Sequence, residues 1–268
     1  LDDADAISAI DRGFVAVADI HRLMSFHEAD SDVGRLNRAG ADRPVTVDPR
    51  TFAVLEQASR MAALSAGVFD ITVAATLVAW GFLPRPESGV EPDAGASWRD
   101  IELIAPDTVR FHRPLWIDLG GIAKGYAVDQ AVLAMALPPD IQCVVNAGGD
   151  LRVSGPAAER VLLRAPVEDQ AVPVIEIENG SLASSSGREA LRAVGDAMVG
   201  PHIDGTNLRG TGTRSFVSVA APECMIADVL TKIILARGHA AADMLELHDA
   251  TAYLHQDGAG WHIIGSQN

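Results

Sequence analysis

Lysine is almost missing from this chain of 268 residues: of its 21 basic residues only Lys124 and Lys232 are lysines, and the rest are arginines. Two compact, mobile ammonium groups in so long a sequence therefore stand out in any search for chemistry. Cysteine is as scarce, with Cys143 and Cys224 alone. They lie far apart, fit no metal spacing, and read as buried thiols, with a disulfide as the alternative. No apolar run reaches the roughly 18 residues a membrane-spanning helix needs. The chain also has no initiator Met and no charged-then-apolar leader, so a processed or trimmed product is expected. Positive charge is in deficit, with 21 Lys and Arg against 36 Asp and Glu and a net charge of -15. That excludes non-specific binding to a nucleic-acid backbone, which needs a concentrated basic face. A polyanionic ligand would need local help from backbone N–H groups, a few placed cations or a metal ion. No internal repeat or low-complexity tract is visible.

What is present is a large apolar fraction, 48%, enough for a sizeable packed core in one soluble domain over residues 1–268. Residues 3–25 place Ile7, Ile10, Phe14, Val17, Ile20 and Met24 at helical spacing, predicting an amphipathic first helix. A polar loop, "HEADSDVGRLNRAG", follows. A second helix begins at "DPRTFAVLEQASRMAALSAG", with Asp48 as N-cap, Pro49 in the first turn and Gly67 as the stop. The segment 84–97 is the one Pro/Gly/Ser-rich linker, expected to be a surface excursion. "IELI" and "TVRF" read as a hairpin, "IQCVVNA" as a buried strand, "RVLLRA" and "VIEIE" as short strands, and "ATAYLHQDGAGWHII" as a hairpin around Asp257-Gly258. "IAKGYAVDQAVLAMAL" and "CMIADVLTKIILARG" read as helices. Helices at both ends and a strand-rich middle predict an α+β or mixed α/β architecture.

The segment richest in chemistry is "WIDLGGIAKGYAVDQ", where a strand is expected to run into Gly120 and Gly121 and then a helix. Adjacent glycines allow close backbone approach, a helix start offers free N–H groups, and Lys124 sits in the first turn, which suits an anion. A tight turn capped by Asp118 fits the same pattern. "NAGGD" repeats the paired glycines and adds an acid. "SLASSSGRE" lacks the glycines of a nucleophile elbow, so a turn of small residues is favoured over a serine nucleophile. For Phe69, Trp80 and Phe82 in "SAGVFDITVAATLVAWGF", core packing is expected.

Together, "MSFHEADSDVGRLN", "AGVFDITV", "WGF", "IDLGGIAKGYAVD", "NAGGD", "SSSG" and "IADVLT" resemble, in this order, the ApbE family of FAD-dependent protein FMN transferases. The resemblance spans residues 24 to about 238. It implies a compact fold of two closely joined α/β parts, FAD as substrate, Mg²⁺, a Thr or Ser hydroxyl of an acceptor flavoprotein as partner, and a periplasmic or periplasm-facing location. By position it implies that His27, Val68, Phe69, Asp70, Asp118, Gly120, Lys124 and Ile203 contact FAD. It implies the Gly121 carbonyl and Asp228 as metal ligands and His202 and Asp228 as catalytic groups; Thr231 as a further metal ligand and Lys232 as a catalytic cation are expected from the chain's own departure from the family pattern. FAD would enter between the glycine segment and the helix at 226–237.

The departures are as informative. Where relatives carry a metal-binding Thr four residues after the Asp, this chain has Lys232, and the Thr has moved to Thr231. An ammonium has no lone pair for a metal, so either Thr231 coordinates or Lys232 itself supplies part of the positive charge. An Asp228–Lys232 pair at i,i+4 spacing, worth about 0.3–0.5 kcal/mol when exposed, is the plain structural alternative. His27 stands where relatives carry a Tyr. The segment "PHIDGTNLRGTG" matches the family's His-x-Ile-Asp stretch after a one-residue deletion, which makes His202 either a base for the acceptor hydroxyl or a solvated loop residue. Two other activities remain open: hydrolysis of FAD to FMN and AMP, and FAD binding without catalysis.

Overall fold

The structure, a computed structural model, describes residues 1–86, 90–164, 172–188 and 190–265. The middle of the predicted linker, 87–89, and the last residues of "RVLLRA" and "SLASSSGRE", Ala165 and Glu189, lie outside the described residues. The helices are α1 (Asp3–Met24), α2 (Asp32–Ala39), α3 (Pro49–Leu64), α4 (Ala74–Ala79), α5 (Ala123–Met135), α6 (Cys224–Arg237) and α7 (Ala242–Leu247). The strands begin with β1 (Val45–Thr46), β2 (Ile101–Ile104), β3 (Thr108–Phe111), β4 (Cys143–Ala147), β5 (Asp150–Ser154), β6 (Glu159–Leu162), β7 (Val174–Ile177) and β8 (Ser181–Ser186). They continue with β9 (Arg192–Val194), β10 (Ala197–Val199), β11 (Ile203–Asp204), β12 (Arg209–Gly210), β13 (Ser215–Ala221), β14 (Thr251–Gln256) and β15 (Gly260–Gly265). The mixed α/β class is the predicted one. The chain divides into two compact units, one of Leu1–Ala18, Lys124–Glu189 and Gly212–Asn268, the other of Asp19–Ala123 and Ala190–Thr211.

The first unit is built on an antiparallel sheet of order β15-β14-β13-β8-β5-β4. Its two central strands are covered on both faces. Helix α6 packs over β8 and β13, and alternate residues Leu151, Val153 and Leu182 join Leu163, Ile175 and Ile177 in an apolar cluster with the paired strands β6 and β7. Period-2 alternation disappears in a strand with two buried faces. This corrects the reading of "SLASSSG" as a turn. Its serines occupy the centre of the sheet because small hydroxyls fit between layers and find partners there, Ser184 with Ser218 Oγ at 2.7 Å and Ser185 with Thr231 Oγ1 at 2.8 Å. The expected buried strand "IQCVVNA" is corrected too: β4 is an edge strand, with Val144 47% exposed.

Helix α6 is apolar on nearly all sides and buried accordingly, from Cys224 and Ile226 to Leu235. No side chain of its own caps it; Asp129 of α5 accepts the N–H groups of Cys224 (3.0 Å) and Met225 (2.9 Å) instead. The contact between the starts of α5 and α6 depends on Gly125, where a Cβ would stand 2.3 Å from the Cys224 carbonyl oxygen. Both cysteines are free, and burial raises the pKa of each thiol.

The second unit holds the small sheet β1-β3-β2, helices α2, α3 and α4, and the hairpins β9–β10 and β11–β12. The "polar loop" at 27–40 contains α2, whose Ser31 caps the Gly34 N–H and whose Val33 and Leu36 are fully buried. With only two large apolar residues in the helix, it is too short to show a period. Helix α3 starts as predicted at Asp48 and Pro49 but ends at Leu64, and Ala66 and Gly67 then turn the chain with positive φ. Trp80 and Phe82 are half-exposed rather than core, and Arg192 lies over the Phe82 ring. Helix α1 has the predicted length with a different buried side. Ala9, Gly13, Ile20, Leu23 and Met24 are covered, while Ile7, Ile10 and Phe14 are exposed. Gly13 sets that side, since a Cβ there would meet Met135 at 3.2 Å.

Alanine for glycine within a helix normally stabilises by up to about 1 kcal/mol. At Gly125 the sign should reverse: Gly125→Ala is expected to lose about 2 kcal/mol by overpacking against the α6 backbone. Urea denaturation checks this, and a variant as stable as the parent would contradict the close approach of the two helices.

Candidate active site

In the first unit the two lysines meet two buried carboxylates. Asp228 lies on α6 with its side chain 1% exposed. One of its oxygens takes the Lys232 ammonium from the next turn and the other takes the Gly125 N–H at 3.2 Å. Asp150 opens β5 and is fully buried. Its Oδ1 accepts the Ser184 N–H at 3.3 Å, and the Lys124 ammonium lies 3.2 Å from Oδ2. That ammonium is the cationic partner of Oδ2. Lys124 itself is 41% exposed, so its charge reaches solvent while its partner does not.

Asp150 is the acid that closes "NAGGD", a residue to which the sequence alone assigns no role. Gly148 and Gly149 both adopt positive φ, the conformation of a two-residue hairpin turn, and pair Ala147 with Asp150. The turn thus fixes the register that places Asp150 on the helix-covered face, along with Arg152, which pairs with Asp129 of α5. Burial raises the Asp150 carboxyl to about 6; the charge of Asp228 adds to the rise, and Lys124 and Lys232 oppose it. Burial lowers the Lys124 ammonium pKa, but Asp150 and then Asp228 outweigh it, leaving a net rise. A cavity of about 250 Å³ adjoins these strands, lined by Asn146, Gly148, Gly149, Ser184, Ser185 and Phe216 among others.

A metal fits poorly here. Thr231 Oγ1 already donates to the Asp228 carbonyl at 2.7 Å and shares a hydrogen bond with Ser185. A divalent ion on Asp228 would have to displace an ammonium. Among the described residues no group of three or more His, Cys, Asp or Glu side chains is placed to hold a metal.

The second unit gathers another set of the predicted residues. The turn after α3 carries Val68, Phe69 and Asp70, all buried. The hairpin β11–β12 lies against it: the Gly205 N–H donates to the Val68 carbonyl at 3.0 Å, and a Cβ on Gly205 would stand 2.4 Å from the Gly67 carbonyl oxygen. Ile203 and Asp204 are therefore held near Val68–Asp70. Asp70 spends its carboxylate locally, Oδ1 on the Thr72 N–H and hydroxyl and Oδ2 on the Trp98 N–H, and its pKa is raised because burial outweighs these bonds. Asp118 caps Gly120 N–H at 3.2 Å, as the turn reading expected. The residues before it belong to no strand, against the expectation; the Asn37 side chain bonds both N–H and C=O of Ile117. Gly120 is exposed and Gly121 partly so. His202 is half-exposed beside β11, and exposed His27 contacts Phe26 and Ser25.

A sequence model of the ApbE family matches residues 4–254. The chain belongs to the ApbE family. Its ApbE relatives include the FAD:protein FMN transferase of Haemophilus influenzae, 27% identical over 258 residues that cover 88% of this chain and 75% of the relative. The FAD:protein FMN transferase of Vibrio cholerae is 29% identical over 235 residues, covering 82% and 70%. The fold is that of the ApbE protein from Thermotoga maritima, with a TM-score of 0.82 at 24% identity over 95% of this chain and 88% of that one. The apo flavinyl transferase ApbE of Pseudomonas stutzeri gives 0.81 at 19% identity, covering 96% and 85%.

Breaking a buried ion pair from one side costs about 3–5 kcal/mol, because the remaining charge is left without a partner. Lys232→Met should therefore destabilise by about 3 kcal/mol. The double variant Asp228→Asn/Lys232→Met should regain most of that loss in chemical denaturation. A double variant no more stable than the single one would show that the two side chains do not act as a pair.

Proposed function

We propose that this chain transfers FMN from FAD to a Thr or Ser hydroxyl of an acceptor protein. Family membership supports the reaction class, and relatives over most of the chain carry that name. The observation that carries the reading is the placement of the two lysines: both stand on buried aspartates of one unit. An acidic protein that handles a diphosphate needs cations fixed where the phosphates go, and here they are tethered to the fold. In the reaction the bond from the FMN phosphorus to the bridging oxygen breaks, a bond to the acceptor oxygen forms, and AMP leaves. The hydroxyl proton goes to a base, for which His202 is the candidate.

Phosphoryl transfer draws most of its rate from positioning and charge neutralisation. In this reading Lys124 meets the diphosphate, and Lys232 supplies part of the charge that Mg²⁺ supplies in the family's usual arrangement. Gly120, Gly121 and Asp118 form the glycine turn toward FAD. Val68, Phe69, Asp70, Ile203 and His27 are the proposed flavin-nucleotide contacts. The proposed place of action is the periplasmic side of a bacterial membrane; no helix among the described residues is long and apolar enough to cross one.

Incubation with FAD and a Thr-bearing acceptor domain, with MgCl₂ or with EDTA, tests this. A covalently fluorescent acceptor of increased mass is expected. Free FMN and AMP would instead mark a hydrolase, and neither product a binder. FAD affinity should persist in part under EDTA and fall in Lys232→Ala. Strict dependence on Mg²⁺, unaltered in that variant, would reject the role given to Lys232.

A further inference from the structure

We propose that Asp150 is a positioning residue of the phosphate site, holding the Lys124 ammonium in the place where it meets a phosphate oxygen of the bound nucleotide. The inference rests on the reading of the chain as an FAD-handling enzyme and adds a residue that acts through Lys124.

Three observations carry it. Asp150 is set by the Gly148-Gly149 turn at the first position of β5 and is completely buried, yet its partner Lys124 is two-fifths exposed. A lysine side chain in solvent samples many rotamers, and a buried carboxylate 3.2 Å away removes most of that freedom. Second, the fold's fixed donors give Asp150 little. The Ser184 N–H serves Oδ1, while the buried Oδ2 is left to the Lys124 ammonium at 3.2 Å. A carboxylate serving only the fold would be expected to draw more on fixed backbone donors, as Asp129 does with the N–H groups of Cys224 and Met225. Third, the surroundings do not favour a charge there. Besides Lys124 from α5, the groups acting on Asp150 are Asp228, Lys232 and the Cys224 thiol, all from α6.

The stability linkage points the same way. The folded-state value of Asp150, about 6, lies above the ordinary aspartate value of 3.8. Its contribution to stability is then complete below the ordinary value and is lost as pH rises through about 6. At neutral pH the charge works against folding, so a role in holding Lys124 explains the residue better than a role in the core. Asp150→Asn should accordingly be as stable as the parent at pH 7 or more so, and should lose the decline between pH 4 and 7.

The scarcity of lysine makes the test direct. Reductive methylation with ¹³C-formaldehyde labels the N-terminal amine and, among side chains, those of Lys124 and Lys232 alone; Lys232→Arg then tells the two lysine signals apart, and the α-amine is set aside by its lower pKa. The Lys124 signal is expected to titrate above the ordinary lysine range in the parent, to move down in Asp150→Asn, and to recover in part in Asp150→Glu. FAD affinity should fall by about tenfold in the Asn variant and recover in part in the Glu variant. An unmoved Lys124 signal in Asp150→Asn, unchanged FAD affinity in that variant, or its failure to fold would each overturn the proposal. Absence of FAD binding by the parent would instead bring down the functional reading, and this inference with it.

Discussion

A carboxylate taken out of water must find a cation or several donors, and that demand organises the first unit of this protein. Asp129, Asp150 and Asp228 are all buried beneath α5 and α6, and each is answered differently. Asp129 joins the open end of α6 to Arg152, Asp228 is closed by the helix's own Lys232 and by a backbone N–H, and Asp150 faces Lys124. Gly125 makes the arrangement possible, because only a residue without a side chain lets α5 approach α6 closely enough for its N–H to reach Asp228. The two lysines of the chain are thus fixed by two acids, and the cluster is neutral when all four groups are ionised. Under the function proposed for the chain, a phosphate-bearing ligand would draw on cations whose ordering entropy was met when the chain folded.

The second unit follows a different rule, backbone against backbone. Gly205 lies flat on the turn that holds Val68, Phe69 and Asp70, and Asp204 and Asp70 spend their oxygens on neighbouring N–H and hydroxyl groups. These acids shape two turns into one rigid surface. Asp118 does the same for the glycine turn.

How far the sequence foretold this depended on whether the signal was local. The hairpins 101–111 and 251–265, the capped start of α3 and the span of α1 were readable because period and turn chemistry lie within a few residues. The strand Ser181–Ser186 was not, because both its faces are buried and its serines are satisfied by residues 34 and 46 positions away. The buried side of α1 was missed for a similar reason: Gly13 and Ala9 matter through contact with other elements, not through hydrophobicity. Of the site, Lys232 and Asp228 were legible as an i,i+4 pair on an apolar helix. Asp150 was visible only as an acid after two glycines, and its importance appears once the turn's register and the position of α5 are known.

The central claim is that fixed ammonium groups, seated on Asp150 and Asp228, receive the diphosphate of a flavin nucleotide. A crystal structure of the protein with FAD, prepared with and without a divalent ion, tests it most directly. The account predicts phosphate oxygens within hydrogen-bonding distance of Lys124 Nζ, with the Lys232 ammonium beside Asp228 in both crystals. A diphosphate bound away from both lysines, or Lys232 swung out and replaced by a metal on Asp228 and Thr231, would contradict it.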